Sequence, residues 1–249
     1  MKHWLKRALM RFCAGSVSCF VVWAEHEIDD YSSEFGIPRE KFRYLPFHTT
    51  IEAYAYQIAD HGYIFAGGNG DRDYRTLIEA VRGTGLQVFI AATDRSLFSG
   101  ITVPGNVTIR GVSHEEFREK MAGCRCAVVP LRAGLLHSGG QQTFLNSMAM
   151  GKATVIASRK AAQGYVEDGI SGVVVESGDV TALRRALLQL DTDTVLRQKL
   201  ATTGKQVAEQ LSTDVFVRRL YDLAQSYAGI SGKQRTAVSS HGATKEPVS

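Results

Sequence analysis

The sequence predicts an α/β protein with a doubly wound parallel sheet covered by helices on both faces. Strand and helix patterns alternate along the chain with short links, which is typical of such a sheet. Short apolar runs such as 154–156 indicate strands that are buried on both faces. The 249 residues are enough to bury a large core, and a composition of 44% apolar and 22% charged residues is ordinary for a globular protein.

The individual elements follow from apolar periodicity and from turn residues. Strands are expected at 19–23, 43–46, 63–66, 87–92, 107–109, 126–129, 153–157 and 172–175. Helices are expected at 2–12, 25–35, 73–83, 114–122, 140–150, 161–167, 179–189, 193–210 and 213–228. Gly151 fits a helix C-terminus and Asp179 fits an N-cap. The tail 229–249 is rich in polar residues and lacks periodicity, so we expect it to be disordered.

The first residues also resemble a signal peptide, because a basic amphipathic stretch precedes a short apolar run. That run is shorter than the roughly 20 residues of a membrane-spanning helix. Since it leads directly into the helix pattern at 25–35, we interpret it as a helix followed by a buried strand.

The charge and the cysteines exclude several classes of protein. A net charge of +4 without a basic stripe does not favour nucleic-acid binding. Cys124 and Cys126 are two residues apart, so a strand would place both on one face. No second pair completes a zinc site, and we expect buried free thiols in a reducing compartment. No metal-binding set, paired carboxylates or Ser–His–Asp order is recognised.

A glycine-rich loop follows the strand at 63–66. Its backbone N–H groups can cradle phosphates, although it lacks a complete dinucleotide fingerprint. The predicted contact residues are Gly67, Gly68, Asn69 and Gly70. Arg72 can grip a phosphate bidentately, or it can pair with a flanking aspartate on the surface.

A second glycine-rich turn opens the helix at 140–150. Gly139 and Gly140 allow the backbone to approach a ligand, and the helix N-terminus favours an anion. Gln141 and Gln142 offer amides for sugar hydroxyls or a base edge, or they are only good helix formers.

The segment 138–155 resembles a motif of the GT-B glycosyltransferases of retaining family 4, the group 1 glycosyl transferases. That family has a Glu, seven residues, a second Glu and then Ala-Met-Ala-x-Gly-Lys-Pro-Val. Here Ser138 and Asn146 stand in place of the two carboxylates, and Met148 through Val155 keep the rest of the frame. The segment 36–47 also resembles the family sequence that precedes its donor-binding domain.

The resemblance implies a donor site for a UDP- or GDP-linked sugar, with no further cofactor. It places Ser138 near the donor sugar as a catalytic candidate, with His137 beside it, and Asn146 at the ribose. Arg132 adds a cation at the sugar end of the site. His137 can instead be an ordinary loop residue, and Asn146 a polar residue on a helix face. Neither Ser138 nor Asn146 can supply the negative charge of a carboxylate.

The implied organisation is the donor-binding half of a two-domain enzyme. We expect a remnant of the N-terminal domain and a linker at 1–48, a Rossmann-like nucleotide-sugar domain at 49–212 and a crossing helix at 213–228. The apolar face of that helix is expected to comprise Val215, Phe216, Leu220, Tyr221 and Leu223.

The expected function is sugar transfer to a glycan or lipid-linked acceptor in polysaccharide biosynthesis. The alternative is a non-catalytic nucleotide-sugar-binding subunit that needs a partner, and a GT-B sugar-nucleotide epimerase is a third, weaker option. We expect a homodimer or a separate acceptor-binding chain. The cytoplasmic location can include the inner membrane surface, contacted through Lys2, Lys6, Arg7 and Arg11.

Overall fold

The predicted alternation of strands and helices is present in the computed structural model, which describes residues 3–228. In this range the helices are α1 His3–Ser16, α2 His26–Phe35, α3 Tyr74–Val81, α4 His114–Ala122, α5 Gln141–Ala149, α6 Arg159–Ala162, α7 Val180–Thr192, α8 Thr194–Glu209 and α9 Thr213–Ala228. The strands are β1 Phe20–Val22, β2 Phe42–Tyr44, β3 Tyr63–Gly67, β4 Gln87–Ala91, β5 Val107–Arg110, β6 Cys126–Pro130, β7 Ala153–Ala157 and β8 Val173–Val175. Every strand prediction is confirmed, and the tail 229–249 lies outside the described residues.

Six of the strands form one parallel sheet in the order β5-β4-β3-β6-β7-β8. The central strand β3 pairs with β4 through Phe65 and Phe89, and with β6 through Phe65 and Ala127. The chain builds outward from β3 to β5, and then crosses to β6 and builds outward to β8. The carboxyl ends of β3 and β6 therefore flank the point where the strand order reverses, where ligands of open α/β sheets bind.

Helices cover both faces of this sheet, as the sequence predicts. Leu77 of α3 and Leu187 of α7 are fully buried in the core of one face. Phe144 and Met148 of α5 are fully buried in the core of the other face. Full burial of such a side chain contributes roughly 1.5–3 kcal/mol. The core on the α5 side therefore holds that helix, and its N-terminus, in a fixed position.

Two details of the sequence predictions are wrong. The helix predicted at 161–167 begins earlier and is shorter, because Ser158 Oγ accepts from the N–H of Ala161 and the chain turns at Gly164, which has φ +79°. Cys124 and Cys126 do not share a face: they belong to the cores on opposite sides of the sheet, because β6 begins only at Cys126. Both are buried free thiols, as expected, and burial raises the pKa of Cys126 to about 12.

The N-terminal elements form a second, smaller unit. The strands β1 and β2 pair in parallel, with Phe20 opposite Phe42, and α1 and α2 pack beside them. The outer side of α1 leaves Trp4 and Phe12 exposed, by 66% and 78%. A helix followed by a strand is therefore confirmed for this segment. In the part of the chain that the structure describes, no helix is both long and apolar enough to cross a membrane.

The last helix, α9, runs beside this N-terminal unit. The ring of Phe216 stacks on His48 with centroids 4.3 Å apart, and the guanidinium of Arg43 lies over the ring of Tyr227. None of the residues of Thr213–Ala228 is buried. The helix therefore presents apolar side chains to solvent, among them Leu220 and Tyr221, which are 39% and 56% exposed.

Candidate functional site

Two loops meet at the reversal point of the sheet. The loop 68–73 follows β3, and the loop 131–140 follows β6 and leads into α5. An antiparallel bridge pairs Arg72 with Leu131, and the N–H of Arg132 donates to the carbonyl of Asp71 at 3.0 Å. The two glycine-rich segments that the sequence singles out are therefore held against each other by backbone hydrogen bonds.

Arg72 joins these loops from inside the fold. Its side chain donates from Nε to the carbonyl of Gly67 at 2.9 Å and from Nη1 to the carbonyl of Gly70 at 2.8 Å. Its Nη2 donates to Thr143 Oγ1 at 3.0 Å. Burial lowers the pKa of Arg72, while nearby Tyr74 and Asp71 oppose this effect, but a guanidinium stays protonated at neutral pH. Arg72 thus brings a buried positive charge to the start of α5.

The N-terminus of α5 lies close against β6. Gly140, the N-cap, has φ +84°, and a Cβ there would lie 2.7 Å from Val129 Cγ1. Only glycine fits this position, for both its conformation and its space. No side chain caps the helix, so the N–H groups of its first turn keep their partial positive charge.

The two glutamines of this first turn have different surroundings. Gln141 is 5% exposed, and its Nε2 has no hydrogen-bond partner in the described residues. Gln142 is exposed, and its Nε2 donates to Thr50 Oγ1 at 3.1 Å. Gln142 therefore already contacts the segment that follows β2, whereas the amide N–H₂ group of Gln141 is unused.

Asp71 and His137 form a pair above this helix start. Asp71 is in the left-handed region with φ +57°, which aspartate tolerates better than most residues. Its Oδ2 lies 2.9 Å from His137 Nε2, and both side chains are partly exposed. The pair therefore connects the two loops through side chains as well as through the backbone.

Asn69 cross-links the loops that follow β3 and β4. Its Oδ1 accepts from the N–H groups of Thr93 and Asp94 at 2.9 and 3.0 Å, and its Nδ2 donates to Thr93 Oγ1. These contacts satisfy both ends of its amide within the protein. Asn69 and Gly70 are the exposed residues of this loop, whereas Gly67 is buried.

Ser138 is held by α2, which sequence reasoning did not connect to the site. Its N–H donates to Glu27 Oε1 at 2.6 Å, and its Oγ lies 3.1 Å from His26 Nε2. Ser138 and Glu27 are both buried. Burial and the nearby Lys160 lower the pKa of His26, against the opposing effects of Asp30 and Glu27. A helix of the N-terminal unit thus forms one wall of the loop 131–140.

Asn146 also has a partner that the sequence did not reveal. Its Oδ1 accepts from the N–H of Thr50 at 2.8 Å, and its Nδ2 donates to Thr50 Oγ1 at 2.9 Å. Asn146 is 8% exposed. An amide retains one more donor and one more acceptor position after two such bonds, so Asn146 can still donate one hydrogen bond and accept another.

Two cavities open on either side of Arg132. One, of about 220 Å³, is lined by Arg132, His137, Ser138 and Gly139, together with residues that follow β7 and β8. The other, of about 290 Å³, lies toward α3 and is lined by Arg72, Tyr74, Ser96 and Leu97 as well as Arg132. Among residues 3–228, Arg132 is an exposed arginine whose side chain forms no hydrogen bond or ion pair.

The fold is an α/β domain with two glycine-rich loops at the reversal point of its parallel sheet, and the comparisons identify its family. The family model described as "Glycosyl transferases group 1" matches residues 68–193, about half of the chain. The chain therefore belongs to the group 1 glycosyl transferases, as the motif at 138–155 predicts. No curated protein sequence matches the chain.

Solved glycosyltransferase structures share the fold at low sequence identity. Sucrose-phosphate synthase from Thermosynechococcus elongatus is 17% identical, with a TM-score of 0.71 over 86% of this chain and 59% of its own. HepE from Anabaena, solved with UDP and glucose, is 13% identical, with a TM-score of 0.74 over 91% of this chain and 68% of its own. TarM from S. aureus, solved with UDP among its ligands, is 14% identical, with a TM-score of 0.68 over 84% of this chain and 44% of its own. The GT-B fold is thus confirmed, and the chain spans about three fifths of the synthase.

Sequence reasoning missed four residues that shape this edge: His26, Glu27, Thr50 and Asp71. The first three lie outside the residues that the family model matches, and their contacts with the site join positions about a hundred residues apart. Within the described range, no group of three or more His, Cys, Asp or Glu side chains is placed to hold a metal ion.

Proposed function

We propose that this chain binds a UDP- or GDP-linked sugar at the reversal point of its sheet and serves sugar transfer to a glycan or lipid-linked acceptor. The observation that carries the proposal is Arg132, an exposed cation that forms no hydrogen bond or close ion pair among residues 3–228 and has Asp94 as a nearby carboxylate. It lies between two cavities and beside the uncapped start of α5. A nucleoside diphosphate sugar has the matching layout, since its charged centre separates two uncharged ends. Membership of the glycosyl transferase family supports this ligand class.

In this arrangement the diphosphate contacts Arg132 and the N–H groups of the first turn of α5. Charge-assisted contacts of arginine with phosphate are stronger than neutral hydrogen bonds. The nucleoside lies in the cavity of about 290 Å³ toward α3, and the sugar in that of about 220 Å³ beside Ser138. The presence of UDP in the structures of HepE and TarM supports a uridine nucleotide as the first ligand to test.

The roles of the site residues follow from this layout. Gly68 and Gly70 give the diphosphate a backbone surface, whereas the predicted contact residue Gly67 is buried at the end of β3. Arg72 adds its buried charge behind that surface. His137 and Ser138 lie at the sugar end, where they can hydrogen-bond hydroxyl groups of the donor. Retaining transfer in this arrangement depends on holding donor and acceptor together rather than on a protein nucleophile.

The same observations favour a second candidate, a donor-binding unit that acts only with a partner. We propose 1–48 as part of an acceptor-binding domain with its linker, 49–212 as the donor-binding domain and 213–228 as a helix that crosses between them. The two-stranded sheet of β1 and β2 is too small for independent stability, and α9 leaves its apolar side chains exposed. A second copy or an acceptor-binding chain would cover these surfaces, and basic residues of α1 would favour an anionic membrane surface nearby.

Titration with nucleotides tests the proposal directly. UDP or GDP should raise the melting temperature, with a stabilisation that grows with the logarithm of ligand concentration above Kd. Arg132→Ala should weaken UDP binding more than uridine binding, because it removes a contact to phosphate. Arg185, an exposed arginine on α7, provides the matched control as Arg185→Ala. Absence of binding for UDP, GDP and ADP at millimolar concentration would refute the proposal.

A further inference from the structure

Glu27 is a buried carboxylate outside the segment that the family model matches. It lies on α2, is 3% exposed and forms no ion pair with a Lys or Arg among residues 3–228. Burying such a charge is costly unless hydrogen bonds replace its hydration. Hydrogen bonds must therefore compensate for the burial of the Glu27 carboxylate next to the loop 131–140.

Three backbone N–H groups provide the hydrogen bonds. Those of Trp23 and Ala24 donate to Glu27 Oε2 at 2.9 and 3.0 Å, which fixes the entry into α2. The N–H of Ser138 donates to Oε1 at 2.6 Å, across 111 positions of sequence. Oε2 therefore stabilises the N-terminal unit, whereas Oε1 holds the loop 131–140 beside the cavity of about 220 Å³.

The contact with Ser138 places the carboxylate of Glu27 next to the cavity assigned to the donor sugar. Ser138 occupies the position at which the family motif that the segment 138–155 resembles has its first carboxylate. Ser138 also lines the cavity assigned to the sugar. The side chain of Ser138 carries no charge, but the carboxylate of Glu27 touches its backbone from behind. His26, the neighbour of Glu27, approaches Ser138 Oγ at 3.1 Å, so two residues of α2 act on the same serine.

We infer that Glu27 is a positioning residue of the donor-sugar site, which fixes the Ser138 peptide and restores from α2 a negative charge that position 138 lacks. This inference rests on the proposed function and names a part of that site. A carboxylate at both positions would place two like charges in one buried region, which is strongly unfavourable. An uncharged residue at 138 is therefore compatible with the buried carboxylate of Glu27, whereas a glutamate at 138 is not.

The first experiment compares Glu27→Gln with Glu25→Gln, an exposed glutamate in the preceding turn. The Glu27→Gln change turns an N–H₂ group toward backbone N–H donors, so stability falls. The diagnostic measurement is the ratio of affinities for UDP-sugar and UDP, with UDP-glucose, UDP-galactose, UDP-N-acetylglucosamine and UDP-glucuronate as probes. For the UDP-sugar that binds best, we expect Glu27→Gln to lower its affinity about tenfold or more, with UDP and the Glu25→Gln variant little changed.

The second experiment moves the carboxylate from position 27 to position 138. Ser138→Glu should destabilise the protein while Glu27 is present, and adding Glu27→Gln should recover the UDP-sugar affinity and the part of the stability that the like-charge contact removes, but not the part that depends on the hydrogen bonds from Trp23 and Ala24. A UDP-sugar to UDP ratio that is unchanged in Glu27→Gln, or a Ser138→Glu variant as stable as the wild type, would overturn the inference while UDP binding stands. Wild-type protein that binds no nucleotide would overturn the proposed function and this inference with it.

Discussion

Arg72 Nη2 donates to Thr143 Oγ1 at 3.0 Å, and this hydrogen bond joins the loop after β3 to the first turn of α5. The partners belong to the two glycine-rich segments that the sequence marks as phosphate-binding. Because the arginine also donates to two carbonyls of its own loop, its charge shapes the site from behind rather than projecting freely into it.

Arg72→Ala is therefore expected to reduce stability as well as affinity for diphosphate. The change leaves buried acceptors without a donor, which costs about 1–3 kcal/mol, and it removes a positive charge near the phosphates. Urea unfolding and titration with UDP and uridine measure the two effects. Thr143→Val is the matched control, since it removes one of the three hydrogen bonds but keeps the charge. Full stability of Arg72→Ala would contradict the observed contacts.

Asn146→Ala is expected to lower the free energy of unfolding by about 1–3 kcal/mol, because it breaks both hydrogen bonds to Thr50. Thr50→Val removes only the hydroxyl and should cost less. Asn146 lines neither cavity assigned to the donor, so we expect both variants to keep the UDP affinity of the wild type, and a loss of UDP affinity in Asn146→Ala alone would place this amide at the ribose. Equal UDP affinity in both variants would leave Asn146 with a purely structural role.

The pKa of His26 predicts how stability depends on pH. Burial and Lys160 lower this pKa from 6.5 in the folded state, so between the folded and unfolded values the unfolded chain binds more protons. Stability therefore rises with pH in that window and is lost as the pH falls below 6.5. The free energy of unfolding, measured in urea for wild type and His26→Gln at pH values from about 7.5 to 5, should fall less for the variant than for the wild type as the pH is lowered. Parallel declines would assign the effect to other groups.

Exposed side chains on α9 predict association in solution. Sedimentation velocity over a range of concentrations should detect species heavier than the monomer, because an apolar surface of this kind favours an interface. Tyr221→Asp should weaken the association, whereas Arg218→Ala on the same helix should not. A strictly monomeric protein that transfers a sugar from a nucleotide sugar to a glycan acceptor would contradict the partner-dependent candidate.

The element order, the parallel sheet and the two glycine-rich loops could be predicted from the sequence, because apolar periodicity and turn residues are local signals. The motif at 138–155 also predicted the family. Which side chains remain available at the site follows from contacts between distant parts of the chain. Arg72 and Asn146 make their contacts inside the fold, the side chain of Arg132 forms no hydrogen bond or close ion pair within residues 3–228, and Glu27 reaches Ser138 from α2. A hydrogen bond between residues about a hundred positions apart depends on how the helices pack on the sheet, and no local pattern encodes that packing.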